Sequence, residues 1–153
     1  MRPQLAAAVH PIEPAVEGLE VELRVSVPSD VAYIEEAVEL VARHLETSFV
    51  DRRTVRFNLR VALTEALANA IIYGNAEDTS KRVVVRALFG RNTAQVEVID
   101  EGCGFDHLCQ PDPTMPFALM QPRGRGLFLI RQLVDEVRFN ALGNSICLIL
   151  RRD

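Results

Sequence analysis

One stretch constrains this chain more than any other. Val61-Ala-Leu-Thr-Glu-Ala-Leu-Ala-Asn-Ala-Ile-Ile72 is apolar on most sides of a helix. A helix apolar nearly all round has to be buried, so the rest of the chain must supply the layers that cover it. The helix is expected from about Val55 to Tyr73, with Thr54 as a cap and Gly74 as its stop. Two polar residues interrupt it, Glu65 and Asn69. Spaced by one helical turn, they project from the same face. A carboxylate and an amide aimed at one cavity can hold a divalent ion and activate a hydroxyl or a water. The plainer reading is a helix face satisfied by surface partners or solvent.

The covering layers are legible. Leu19, Val21, Leu23, Val25 and Val27 alternate with Glu20, Glu22, Arg24 and Ser26, the pattern of a strand with one wet face. Ser29 can cap a helix whose apolar stripe is Val31, Ile34, Val38, Val41, Leu45 and Phe49. Strands are expected near 82–90 and 94–100, joined at Gly90-Arg91-Asn92. After a proline-bearing loop, His107 to Arg123, a third helix buries Leu127, Ile130, Leu133 and Val134. Two last strands, near 137–141 and 145–151, turn at Leu142-Gly143-Asn144. The expected fold is α+β: a two-layer α/β sandwich, its sheet mixed but mainly antiparallel, with helices on one face. Residues 1–18 hold three prolines and no clear period, so they are expected as a flexible tail before one domain, 19–153.

Bulk properties narrow the function. The net charge is −4 and no basic block stands out, which argues against direct nucleic-acid binding. No apolar run approaches the roughly 20 residues of a membrane span, and Leu5 to Val9 is too short for a signal peptide. Cys103, Cys109 and Cys147 show no CxxC spacing and read as reduced thiols of a cytoplasmic protein.

Two further motifs carry chemistry. In Asp100-Glu-Gly-Cys-Gly-Phe105, Asp100 shares a strand face with Val96 and Val98 and so points into the apolar layer. A carboxylate there is costly without a partner. It can accept a hydrogen bond from an exocyclic amine such as that of adenine, and Gly102 and Gly104 permit close approach of backbone to a ligand. A simple tight turn is the alternative. Arg123-Gly-Arg-Gly126 stands at a helix N-terminus, where N–H groups and the dipole favour phosphate, with Arg123 and Arg125 adding charge.

Together the three motifs resemble the boxes of the GHKL (Bergerat) ATPases. Glu65 to Asn75 resembles the N box, Asp100 to Phe105 the G1 box, and Gly124-Arg-Gly-Leu-Phe-Leu-Ile130 the G2 box. The likeness covers about residues 19–152 and is nearest to the RsbW-like anti-sigma-factor serine kinases. Sensor histidine kinases would need a phosphoacceptor helix that residues 1–18 cannot supply. The resemblance implies a Bergerat fold that binds ATP and Mg²⁺. By position, Glu65 would be the general base, Asn69 the metal ligand, and Asp100 the adenine reader. Gly102 and Gly104 would shape the base pocket and lid hinge. Arg123, Gly124, Arg125, Gly126 and Leu127 would lie at the phosphates. The implied partners are a sigma factor, an anti-anti-sigma antagonist of the STAS type and a second copy of the chain. Two departures stand out: Tyr73 replaces a frequent His, and Arg123 a frequent Gly. The alternative function is a non-catalytic ATP-binding module that sequesters a regulatory partner.

Overall fold

The computed structural model describes residues 6–11, 21–48, 53–90, 92–102 and 122–151. Strand β1 is Ala6–Pro11 and β2 is Val21–Pro28. A 3₁₀ turn, Val31–Tyr33, leads into α1, Ile34–Ser48. Helix α2, Arg60–Ala68, continues at either end into π-helical turns, Thr54–Leu59 and Asn69–Gly74. Then come β3, Arg82–Phe89, β4, Thr93–Ile99, α3, Pro122–Leu133, β5, Glu136–Phe139, and β6, Ser145–Arg151.

The strands form one sheet in the order β1-β2-β3-β4-β6-β5. Every described pairing is antiparallel, so the mixed character expected from the sequence finds no parallel pair among the described residues. The helices cover one face, as the alternation of β2 requires. Register lines up apolar rows across the strands. Val25, Val85, Val98 and Ile146 form one, and Leu23, Ala87, Val96, Leu148 and Val137 another. Against them pack Val38, Val41 and Leu45 of α1, then Leu63, Leu67 and Ile71 at helical spacing on the second helical run. Each fully buried Leu, Ile or Val contributes about 1.5–3 kcal/mol by leaving water. Arg60 ties the two helices at their outer edge, with Nη1 2.6 Å from Glu39 Oε2 and Nη2 3.7 Å from Glu46 Oε1. That guanidinium holds the Glu39 carboxyl below its ordinary range.

Four local expectations are corrected. Residues 6–11 are not a loose tail: they pair with β2 from Ala6↔Ser26 to Pro11↔Val21. Backbone pairing at a sheet edge needs no apolar period, which is why the prolines mislead. The cap of the first helical turn is Asp30, whose Oδ1 accepts from the Ala32 N–H at 2.9 Å. Ser29 turns inward instead and donates to the Lys81 carbonyl at 2.7 Å. Thr54 lies inside the helical run, with Arg53 already helical before it. The face opposite the helices is not uniformly wet, since Leu88, Gln95, Cys147 and Ile149 are all buried there. Burial, with the Glu97 carboxylate nearby, pushes the Cys147 thiol up to about 12.

Candidate functional site

The site forms where α2 and its π turn, the end of β4, the start of α3 and the β5–β6 turn meet. Asn69, Asp100 and Leu127 line one pocket, although 58 positions separate the first and last of them. Ala66, Ala70, Val98, Phe139 and Ile146 give it apolar walls, and Gly143, Asn144 and Ser145 close one side. Such a pocket, mostly apolar with a few convergent polar groups, suits a flat heteroaromatic ligand.

Asp100 is buried at the β4 end, and its surroundings are built tightly. Its Oδ1 accepts from the Gly102 N–H at 2.8 Å. Its own N–H donates to the Asn144 carbonyl at 2.9 Å, and its carbonyl accepts from Asn144 Nδ2 at 3.2 Å. Gly74 packs so closely that a Cβ there would collide with the Asp100 carboxylate, and a Cβ at Gly102 would collide with the Gly74 carbonyl. Both glycines are needed for close approach.

Glu65 and Asn69 are half-buried on one face of the helical run. Gly126 lies against both. A Cβ placed on it would sit 3.0 Å from Glu65 Oε2 and 3.4 Å from Asn69 Nδ2. The backbone of α3 thus reaches the carboxylate and the amide that the helix presents. Helix α3 begins at Pro122, which suits a first helical position. Arg123 and Gly124 fall in its first turn, where N–H groups lack helical acceptors. Gly126 lies beyond that turn, so it contributes close approach and not a free amide. Arg125 is exposed. Gly104 and residues 107–121 of the loop expected from His107 to Arg123 lie outside the described residues, and its last two, Pro122 and Arg123, already belong to α3.

Sequence patterning gives no part in the site to Asn144 and Ser145, which line the pocket, or to Gly74, Asn75 and Asn140, which support its surroundings. Gly74 and Asn75 close the first motif, and their place there is the available signal. Asn140 locks the β5–β6 turn, its Oδ1 accepting from the N–H groups of Gly143, Asn144 and Ser145 at 2.8, 3.1 and 3.2 Å. Gly143 takes a φ of 82° within it. No motif marks that turn as a pocket wall; only the strand order brings it beside β4.

The family described as histidine kinase-like ATPase domain matches residues 27–150. The chain is 31% identical over 87 residues to the serine-protein kinase RsbW of Bacillus subtilis, covering 53% of this chain and 54% of that protein. It is 28% identical to RsbW of Listeria monocytogenes (serotype 4a), over 53% of this chain and 55% of the relative. With RsbW of Bacillus cereus the identity is 26%, over 53% and 54%. The chain therefore spans about half the length of the curated relatives it matches.

Proposed function

This chain belongs to the histidine kinase-like ATPase domain family, and from that premise we propose that it is an ATP-dependent protein serine kinase. Its substrate is a small antagonist protein of the anti-anti-sigma type. The same domain, paired with a second copy, holds a sigma factor until that antagonist competes. The likeness to proteins named serine-protein kinase supports the reading.

The observation that carries it is the convergence of three distant motifs. Asn69, Asp100 and Leu127 line one pocket, and Gly126 packs on Glu65 and Asn69. The residues fit the nucleotide. Asp100, buried among apolar walls, accepts from the adenine amine. The first turn of α3, whose N–H groups lack helical acceptors, would take the phosphates. Asn69 would supply an oxygen to magnesium, an ion that needs few protein ligands. Bound magnesium would neutralise charge on the phosphates. Glu65, one turn away, takes the proton of the incoming serine hydroxyl as that oxygen attacks the γ-phosphorus and ADP departs. Such transfer depends mostly on positioning and charge stabilisation.

The test is to incubate the protein with labelled ATP, magnesium and the antagonist. Label on a serine of the antagonist supports the kinase. ATP and sigma-factor binding without any transfer would replace it with the non-catalytic sequestering module.

A further inference from the structure

Asn75 is a buried amide beside the site with three side-chain hydrogen bonds, yet the proposed reaction does not use it. It is 1% exposed. Its Nδ2 donates to Ser29 Oγ at 2.9 Å and to the Arg82 carbonyl at 3.1 Å. Its Oδ1 accepts from the Glu101 N–H at 2.8 Å. One amide therefore joins the β2–α1 junction, the start of β3 and the residue that follows Asp100.

The surrounding backbone is costly to hold. Immediately after Asn75, Ala76 and Glu77 adopt φ of 52° and 57°. The left-handed region is unfavourable for residues with a Cβ, and such strain persists only where neighbouring structure over-determines it. Immediately before Asn75, Gly74 lies against the Asp100 carboxylate. Asn144 holds the other flank: its carbonyl accepts from the Asp100 N–H, and its Nδ2 donates to the carbonyl of the same Asp100–Glu101 peptide that Asn75 holds. Without the Asn75 amide, the Glu101 N–H would lose its acceptor. The strand end that sets the direction of the Asp100 side chain would then keep, on the β3 flank, the Glu101 carboxylate bond to the Arg82 N–H but lose its backbone tie.

We infer that Asn75 is a positioning residue for base recognition. It fixes the peptide after Asp100 so that the carboxylate stays aimed into the pocket, and it thereby sets the preference for a purine bearing an exocyclic amine over one bearing a carbonyl. This role deepens the base-reading function of Asp100 and rests on it.

The test measures ATP and GTP affinity by calorimetry for the wild type, Asp100→Asn, Asn75→Ala, the double variant and Ser29→Ala. Asn75→Ala is expected to weaken ATP about tenfold, the scale of one hydrogen bond lost in effect, and to leave GTP nearly unchanged. In the Asp100→Asn background it should cost nothing more, because its effect passes through Asp100. Ser29→Ala removes a partner of the same amide but leaves the Glu101 bond. It should lower the melting temperature and keep the ATP-to-GTP ratio. Because removing a buried amide costs stability, Asn75→Ser is measured alongside: its side chain is too short to reach Glu101, and the same outcomes apply. Equal losses for ATP and GTP, or an additive loss in the double variant, would overturn the inference. If Asp100→Asn collapses the ratio while Asn75→Ala and Asn75→Ser keep it, the inference alone falls. If Asp100→Asn leaves the ratio intact, the base-reading role falls and the inference with it.

Discussion

The two ends of the pocket are built on different terms. At the end around Asp100, the carboxylate is buried and its flanking peptides are bonded to Asn75 and Asn144. Glycines bring two chain segments into contact there, and the turn beyond is locked by Asn140. At the end around Glu65, the functional side chains are half-buried, and α3 is anchored in the core by Ile130 while Phe128 and Leu129 stay partly exposed. A preorganised end loses little freedom when a ligand binds, so affinity and selectivity belong there. On the proposed reading, the serine would enter at the less enclosed Glu65 end, and turnover would depend on that end.

Changes at the two ends should therefore separate rate from affinity. The largest effect is expected from Glu65→Ala. General-base help is worth about 10²–10⁴ in rate, so phosphoryl transfer should fall by that order while ATP affinity stays put. Single-turnover kinetics beside calorimetry would check it; a wild-type rate would remove the general-base role and blur the division. Asp100→Asn comes next. It offers a donor where an acceptor is needed, and ATP affinity should drop about ten- to a hundredfold, with the rate at saturating ATP largely kept.

Gly74→Ala probes the tightness of the base end directly. The added methyl competes for the space of the Asp100 carboxylate, and overpacking of this kind costs about 1–3 kcal/mol. ATP affinity should suffer more than for Gly126→Ala, where the nearest atom, Glu65 Oε2, lies 3.0 Å away on a side chain able to shift. Equal losses in the two alanine variants would erase the contrast. The smallest effect is expected at Asn140→Ala. The turn would lose the acceptor of three N–H bonds, but Asn140 is exposed and water can substitute. A loss of about 0.5–1.5 kcal/mol is expected in denaturant titrations, with a minor weakening of ATP.

Much of this contrast is legible in the amino-acid sequence. The alternation of β2 and the hairpin of β3 and β4 specify two layers, because period is a local property; the helix expected to be buried nearly all round instead keeps one side exposed, at Phe57, Thr64, Ile72 and Tyr73. Glu65 and Asn69 stand out as polar residues on an apolar helix, and Asp100 as a carboxylate on an apolar strand face. Asn144 and Ser145 carry no such mark, because their place beside Asp100 comes from β6 lying next to β4, a long-range fact with no local signature. Asn75 is hidden for a different reason. A polar residue after a helix-ending glycine reads as solvent-exposed turn, and only tertiary closure turns it inward. The edge strand β1 is equally silent because it carries no alternation, and pairing at an edge asks only for extended backbone.

Cys147 turns the sheet into its own gauge. In the folded protein its thiol is pushed up to about 12, against 9.0 for a free one. Between those values the unfolded chain sheds the proton and the folded chain keeps it. The unfolded state then binds fewer protons, so stability declines as the solution is made more alkaline across that window. Below it, the thiol is neutral in both states and adds no slope. The thiolate is the nucleophile, so an alkylating reagent at neutral pH should label Cys147 slowly while the sheet face around it stays closed. The rate at which this sulfur is labelled would clock the opening of that face, and nucleotide that braces the pocket should slow that clock.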